Sequence, residues 1–272
     1  VLHIGQTIVY GSYKGRRELL WLSGCILLAL MLGMAFTGYL LPWDEKAYFA
    51  SAVGTNLIAE VPLIGPPLQQ LIRGGNQMGT LTLSRFYVLH VFVLPGLLIS
   101  FIAAHVFFFR KAGAAGPIEE DPIHPRLPAV PFYPRQVAMD AVFAVVLIGI
   151  LAAIALKTPM DLGPAANPAD THFLPRPEWY YLPFFQWLKY LSGHWSLIGG
   201  ILLPAVLALI FAALPFFDRR LERRPWRRPI VVGAFLLFLV VYVSLGVASH
   251  RDDAKDPGVA EQMHKQEEDA KA

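Results

Sequence analysis

The chain contains one cysteine and few charged residues, and these two shortages restrict its class. Only 16% of its 272 residues are charged, whereas about a quarter is usual in a soluble domain. Cys25 lies in an apolar stretch and is read as a small hydrophobic residue, so no disulfide framework is predicted. No Cys-x-x-Cys-His sequence is present to attach an ordinary c-type heme. The composition excludes an ordinary soluble domain.

Long hydrophobic runs are abundant instead, because 55% of the residues are hydrophobic. A helix that crosses a bilayer takes about 20 residues, and five stretches satisfy this: 18–41, 86–109, 137–156, 197–217 and 229–249. Residues 1–10 are apolar as well and begin in mid-pattern, so we expect preceding helices to be missing from the chain. The sequence predicts an all-α transmembrane helical bundle.

Basic residues are concentrated in the loops on one side of these five helices. That side carries 13 of the 23 lysines and arginines: Lys14, Arg16, Arg17, Arg110, Lys111, Arg126, Arg135, Arg219, Arg220, Arg223, Arg224, Arg227 and Arg228. The positive-inside rule makes it the cytoplasmic or N side, and the opposite side the P side. The net charge of +3 therefore reflects contact with lipid headgroups, and no nucleic-acid partner is expected.

The order of apolar and polar segments predicts four parts. Residues 1–110 form the C-terminal part of a bundle, in which short amphipathic helices at 45–80 lie on the membrane surface. Residues 111–135 are rich in proline and form a connector. Residues 136–249 form a three-helix part, and the charged tail at 250–272 is predicted to be disordered because it has few large apolar residues.

Two histidines lie 15 residues apart in the third apolar segment of the chain. On a helix, His90 and His105 are separated by a rise of about 22 Å and an angle of roughly 60°, so both are able to face one interior. Imidazole is a common axial ligand of heme iron. His3 lies at the same depth as His105, and the two are placed to share one iron. Hydrogen bonding to a neighbouring helix is the alternative role for such histidines.

Pro177-Glu178-Trp179-Tyr180 lies in a P-side loop between two apolar segments. A carboxylate in a partly dry site beside aromatic rings suits deprotonation of a quinol. Together with the histidines, this loop resembles cytochrome b of the bc-type quinol oxidoreductases. The matching residues are Leu2-His3-Ile4-Gly5, Tyr10-Gly11-Ser12-Tyr13, Gly38-Tyr39-Leu40-Leu41-Pro42-Trp43, Thr82-Leu83-Ser84-Arg85-Phe86-Tyr87, His90, Leu94-Pro95, His105 and the Pro-Glu-Trp-Tyr loop itself.

The resemblance implies two b hemes in a four-helix bundle that is partial here, followed by three C-terminal helices. It implies that His3 and His105 ligate the N-side heme and that His90 ligates the P-side heme, with a partner outside this chain. Gly24 and Gly38, spaced by 14 residues, and Arg85 are expected to pack against heme, although close helix packing also explains the glycines. In the plant-like branch of the family an additional covalent heme lies at the N side.

The resemblance also implies two quinone sites. The P-side quinol site would contain Tyr39, Pro42, Trp43, Pro177, Glu178, Trp179 and Tyr180, with Glu178 as proton acceptor and Tyr180 as a hydrogen-bonding or pocket-shaping residue. Arg110 and Asp140 would belong to the N-side quinone site, because both lie near the N-side ends of their helices and a carboxylate there is costly without a partner.

The function expected from the resemblance is that of the cytochrome b subunit of a quinol:cytochrome c-type oxidoreductase. Such a complex splits the two electrons of quinol between a Rieske iron–sulfur protein and the b hemes, and it contributes to a proton gradient. Expected partners are the Rieske protein, a c-type cytochrome, the missing N-terminal helices, lipids and a second copy, in a bacterial inner membrane. A diheme anchor of another oxidoreductase and a heme-free transporter are the rival interpretations.

Overall fold

The structure, a computed structural model, describes the backbone of residues 2–116, 131–158, 163–170 and 172–269, with side chains to residue 264. It is all-α, and no strand occurs in this part of the chain. The helices long and apolar enough to cross a membrane are Glu18–Tyr39, Thr80–Ala112, Phe132–Lys157, Gly193–Ala212 and Pro229–Asp253. The five predicted spans are therefore confirmed.

The chain divides into two compact units. The first comprises Val1–Gly116 and Gly163–Ala272, and the second Pro117–Leu162. The α-helices of the first unit are α1 (Leu2–Val9), α2 (Glu18–Tyr39), α3 (Glu45–Ala59), α4 (Gly65–Arg73), α5 (Thr80–Val88), α6 (Leu94–Ala112), α8 (Leu182–Tyr190), α9 (Leu203–Ala212), α10 (Leu214–Phe217), α11 (Pro229–Asp253) and α12 (Pro257–Asp269). The second unit contains α7 (Val137–Lys157), which follows a π-helical turn at Phe132–Gln136.

A π-helical turn at Leu89–Val93 joins α5 and α6 into one membrane-length helix. Pro95 has no N–H to donate to the preceding turn. The N–H of Leu94 bonds to the carbonyl of Leu89, five residues earlier, and this bond makes the turn π-helical. Such a turn takes up one extra residue without ending the helix. The joined helix packs along α2, and His90 lies within the π-helical turn.

The loop between α2 and α3 brings the segment before the Pro-Glu-Trp-Tyr loop close to α3. Asp44 caps α3 by accepting a hydrogen bond from the backbone N–H of Ala47 at 2.7 Å. The N–H of Glu45 donates to Pro164, and the N–H of Ala166 donates to Trp43. α8 then packs on α11 and buries Leu182.

The charged tail differs from its predicted disorder. α11 continues to Asp253, and α12 occupies Pro257–Asp269. The carboxylate of Asp256 caps α12 by accepting from the N–H groups of Gly258 and Val259. Composition predicted disorder because the tail has no apolar core of its own, whereas the helix is stabilised by this cap and by contacts with distant residues. Most of the predicted connector, residues 117–130, lies outside the described residues.

At the predicted N side, Asp218 binds three groups from two other segments. Its carboxylate accepts from Tyr13 at 2.5 Å and from Lys14 at 2.6 Å, and it pairs with Arg228 at 3.0 Å. Lys14 and Arg228 are 4% and 3% exposed, so water screens this cluster weakly. The cluster joins the α1–α2 loop to the start of α11.

The surroundings of Asp218 also change its acidity. Burial alone raises the pKa of the Asp218 carboxyl, but hydrogen bonds from Lys14 and Tyr13 and the charges of Lys14 and Arg228 outweigh it and lower the pKa. Because the folded-state pKa is below the unfolded one, the resulting stabilisation is present at neutral pH. It is lost as the pH falls from about 4 through the folded-state pKa.

We predict that Asp218→Asn lowers the free energy of unfolding by about 3 kcal/mol at pH 7, because it leaves two buried cations without their carboxylate. Thermal unfolding of the purified protein in detergent measures this change. The control is Glu222→Gln, which removes a more exposed carboxylate that pairs with Arg227 at 3.4 Å. The prediction also requires the difference between wild type and Asp218→Asn to shrink below pH 4. An equal stability of the two proteins at pH 7 would contradict it.

Candidate functional site

His90 and His105 both face α2, where each contacts a hydroxyl group. Nδ1 of His105 lies 2.9 Å from Oγ of Ser23, and Nδ1 of His90 lies 3.1 Å from Oγ1 of Thr37. The two hydroxyls are 14 residues apart on α2, whereas the histidines are 15 apart. The π-helical turn at Leu89–Val93 accounts for the difference, because its extra residue keeps both imidazoles on the face that meets α2.

The hydrogen bonds of the two hydroxyls favour one tautomer of each histidine. Ser23 donates its hydrogen to the carbonyl of Leu20 at 2.8 Å, and Thr37 donates to that of Gly33 at 2.8 Å. A hydroxyl whose hydrogen is used in this way is left as an acceptor, and this favours the tautomer in which each histidine donates from Nδ1. The Nε2 atoms then keep their lone pairs, which is the form of imidazole that binds a metal.

The imidazole of His90 requires glycine at position 38, and that of His105 packs closely on Gly24. A Cβ atom at Gly38 would lie 2.5 Å from Cε1 of His90. Cβ atoms essentially never come this close to another heavy atom, so the imidazole would have to move. A Cβ at Gly24 would lie 3.3 Å from Cε1 of His105. Contact with the imidazoles is thus a structural reason for both glycines. Their packing against heme stays a prediction.

His3 on α1 faces His105 across the interior of the bundle. The ring centroids are 6.5 Å apart and the rings are inclined at 80°. Two imidazoles bound to one metal through bonds of about 2 Å place their centroids roughly 6 Å apart. This spacing suits axial ligation of one heme iron by His3 and His105. His90 contacts the hydroxyl of Thr37 in the way that His105 contacts that of Ser23.

Ser23 and Thr37 belong to this site but were missed by sequence reasoning. Each directly precedes one of the two glycines that were recognised, and the pair repeats their 14-residue spacing. That repeat was the available signal. Serine and threonine are common in membrane helices, where they bond to the carbonyl one turn earlier, so the spacing alone did not distinguish this role.

An apolar cavity of about 130 Å³ lies between α2, α3, α8 and the segment before the Pro-Glu-Trp-Tyr loop. It is lined by Phe36, Tyr39, Ala50, Val53, Gly54, Leu57, Pro175, Pro177, Tyr181, Phe184, Phe185 and Leu188. Tyr181 donates its hydroxyl to the carbonyl of Leu32 at 3.1 Å. The hydroxyl of Tyr39 is buried and has no hydrogen-bond partner of normal geometry among the described residues. The lining suits an apolar planar ring that carries polar groups at its edges.

Glu178 forms an ion pair with Lys46 on α3, with 2.7 Å between Oε1 and Nζ. Both side chains are more than a third exposed, so the pair contributes little to stability. Glu178 also acts electrostatically on the hydroxyls of Tyr39 and Tyr180. Burial and this carboxylate raise the pKa of the Tyr180 phenol, which therefore stays protonated and able to donate at neutral pH.

The residues predicted for the P-side quinol site are only partly brought together. Tyr39 and Pro177 line the cavity. The carboxylate of Glu178 does not line it but acts electrostatically on the hydroxyl of Tyr39. Trp179 is 73% exposed and does not line the cavity. Trp43 packs on Tyr48 instead. Pro42 and Tyr180 are absent from the lining as well.

The remaining predicted residues lie at helix ends. The guanidinium of Arg85 donates to the backbone carbonyl of Leu71, so its predicted contact with heme stays a prediction. Arg110 lies in the last turn of α6. Asp140, in the second unit, lies in the first turn of α7 and accepts from Gln136 at 2.8 Å.

Imidazoles with available Nε2 atoms, inside a bundle of membrane-length helices, define an integral membrane protein of the cytochrome class. Residues 1–165 match the family model described as Cytochrome b(N-terminal)/b6/petB, and residues 165–263 match Cytochrome b(C-terminal)/b6/petD. The chain belongs to the cytochrome b family. The resemblance inferred from its motifs is confirmed.

Similar proteins are described as cytochrome b as well. The chain is 36% identical over 246 residues to the "Cytochrome bc complex cytochrome b subunit" of Chlorobaculum thiosulfatiphilum, covering 87% of this chain and 56% of that protein. It is 35% identical over 250 residues to "Cytochrome b" of Rickettsia bellii, covering 90% and 61%. The chain thus spans about six tenths of the length of these relatives.

A solved structure described as "Hyperthermophilic respiratory Complex III" has the same fold. It matches with a TM-score of 0.73 and 26% sequence identity, over 92% of this chain and 67% of that one. The all-helical transmembrane fold predicted from the sequence is confirmed by this similarity.

We predict that Thr37→Ala raises the midpoint potential of the heme predicted at His90, whereas Ser23→Ala raises that of the heme predicted at His105. Losing the acceptor at Nδ1 makes the imidazole a weaker donor to iron, and a tenfold change in relative ferric affinity corresponds to about 60 mV. Redox titration of the heme absorption bands measures both potentials. Thr37→Ser keeps the hydroxyl and serves as control. Equal shifts of both potentials in either variant would disprove the pairing.

Proposed function

We propose that the chain is the cytochrome b subunit of a membrane complex that oxidises quinol and reduces a c-type cytochrome. The observation that carries this proposal is the apolar cavity beside Glu178, which occurs in one chain with the paired imidazoles. A quinol ring with its isoprenoid tail is a planar apolar ligand with two polar edges, and the cavity lining suits it. A diheme anchor alone leaves the cavity without a role.

Oxidation of a quinol to a quinone releases two protons and two electrons. Glu178 is the proton acceptor in this proposal, because it directly follows Pro177 of the cavity lining and has the largest electrostatic effect of the charged groups on Tyr39. Lys46 pairs with Glu178 while that carboxylate is ionised, and the pair weakens when the carboxylate takes a proton. The hydroxyl of Tyr39, which lines the cavity, supplies a donor for one quinol oxygen, whereas the role of Tyr180 stays a prediction.

Heme b, held by His3 and His105 at one depth and by His90 at the other, would supply one-electron carriers across the membrane. The 6.5 Å separation of the His3 and His105 rings supports this assignment. The partner of His90 would lie outside this chain. An additional covalent heme at the N side belongs to the same proposal as an optional group.

The other parts of the proposal concern the surrounding complex. Splitting of the two electrons requires a second acceptor, for which we propose a Rieske iron–sulfur protein that in turn reduces a c-type cytochrome. Arg110 and Asp140 are proposed for a quinone-reducing site at the N side. The complex would be a homodimer in a bacterial inner membrane, completed by the N-terminal helices of cytochrome b.

The heme part of the proposal predicts two b hemes of different midpoint potential per copy of this chain in the purified complex. A redox-titrated absorption spectrum with heme quantification measures both quantities. A single heme would limit ligation to His3 and His105. Absence of heme would refute the proposed function.

The quinol part predicts that Glu178→Gln lowers kcat for quinol oxidation by about 100-fold or more, because the amide is unable to accept the proton. Steady-state reduction of a c-type cytochrome by a short-chain quinol measures the rate. Glu45→Gln, on the first turn of α3, is the matched control and should keep the wild-type rate. Retention of the wild-type rate by Glu178→Gln would remove Glu178 from the mechanism.

A further inference from the structure

The segment immediately before the Pro-Glu-Trp-Tyr loop is attached to the C-terminal helix α12. The N–H of Leu174 donates to Oε1 of Gln262 at 2.9 Å, and Nε2 of Gln262 donates to the carbonyl of Leu174 at 3.1 Å. One side-chain amide thus satisfies both backbone groups of Leu174. The side chain of Leu174 also lies beside Gly258, where an added Cβ would be 3.4 Å away.

Two residues further on, Arg176 is attached to the last turn of α11. Its guanidinium forms an ion pair with Asp253, whose side chain is 5% exposed, while that of Arg176 is 16% exposed. Lys189 of α8 approaches the same carboxylate at 3.7 Å but is 41% exposed. The Arg176–Asp253 pair is therefore weakly screened, and removal of either partner takes the main counterion away from a nearly buried charge.

The position of Arg176 connects this pair to the cavity. Pro175 and Pro177, the residues on either side of it, both line the cavity, and Glu178 follows directly. Two rigid proline rings flank Arg176, so a shift of its backbone moves the cavity wall. The ion pair of Arg176 with Asp253 therefore holds the part of the cavity wall that Pro175 and Pro177 form.

The end of the Pro-Glu-Trp-Tyr loop is attached to α11 as well. The hydroxyl of Tyr242 donates to the carbonyl of Tyr180 at 2.6 Å. On α8, which follows the loop, Gln186 is fully buried and donates to Asp252 at 2.6 Å. The loop is consequently held by α11 on both sides of Glu178.

We propose that Asp253 and Gln262, here called the C-terminal clamp, are positioning residues for quinol oxidation. They act through Arg176 and Leu174 and hold Pro175, Pro177 and Glu178 in the geometry that binds quinol. This inference rests on the proposed function and assigns a role to the charged tail. The clamp touches neither quinol nor heme, so its loss affects the quinol site and leaves heme binding unchanged.

Single variants test the clamp in the purified membrane complex. Asp253→Asn and Gln262→Ala are each expected to raise KM for a short-chain quinol, or to lower kcat/KM, by about tenfold, because misplacement of the site by less than 1 Å has effects of this size. Benzoquinol and naphthoquinol analogues serve as separate probes. Glu261→Ala and Arg251→Gln are the matched controls, since both side chains are exposed on the same two helices. Asp253→Glu should restore part of the loss.

A double-mutant cycle with Arg176→Gln and Asp253→Asn separates this role from general destabilisation. If the two act as a pair, the double variant is no worse than the worse single variant. Heme content and both midpoint potentials must stay at wild-type values. Additive losses, or a loss of heme together with activity, would reduce the clamp to a general folding role and overturn the proposal.

Hydrogen exchange of the backbone amides of residues 172–182 keeps this test independent of the proposed function. Faster exchange in Gln262→Ala than in Glu261→Ala supports the clamp. If the wild-type complex oxidises no quinol and yet shows this difference, the proposed function fails while the attachment of the loop stands. If it oxidises quinol with unchanged KM and unchanged exchange in the clamp variants, the clamp fails and the proposed function stands.

Discussion

The packing of α2 against α6 is the contact on which the rest of the structure depends. It places Ser23 and Thr37 beside His105 and His90, and it requires glycine at position 38. The same α2 helix provides Tyr39, which lines the cavity beside Glu178. One helix therefore supports both the imidazoles and the apolar cavity, and a change in its rotation or depth would disturb them together.

Charged contacts occur at the ends of the membrane helices, and α11 connects the two most buried clusters. Arg228 precedes its first turn and binds Asp218, whereas Asp253 closes its last turn and binds Arg176. Ions are costly in hydrocarbon, so the loops are joined by ion pairs at the two surfaces while the spans are joined by apolar contacts and hydroxyl groups. The helix α11 thereby carries one ion-pair cluster at each of its two ends.

Sequence reasoning identified the residues whose chemistry is unusual in a membrane and missed those whose role depends on a partner. His90 and His105 were recognised because imidazoles are rare in apolar helices. Lys46 and Gln262 were not, since nothing in their own neighbourhoods indicates Glu178 or Leu174. Trp179 was expected in the quinol site with its neighbours but is 73% exposed, because adjacent loop residues turn their side chains in different directions.

The sequence by itself determined the all-helical class, the five spans and the family, because hydrophobic length and the local motifs are properties of short segments. Only the tertiary structure decided that Nδ1 of each histidine lies beside a hydroxyl of α2, that α8 lines the cavity, and that much of the tail is helical. These features arise from contacts between residues such as Leu174 and Gln262, which are 88 positions apart. Such contacts depend on how helices pack and on where a π-helical turn inserts its extra residue, and neither is encoded in local composition.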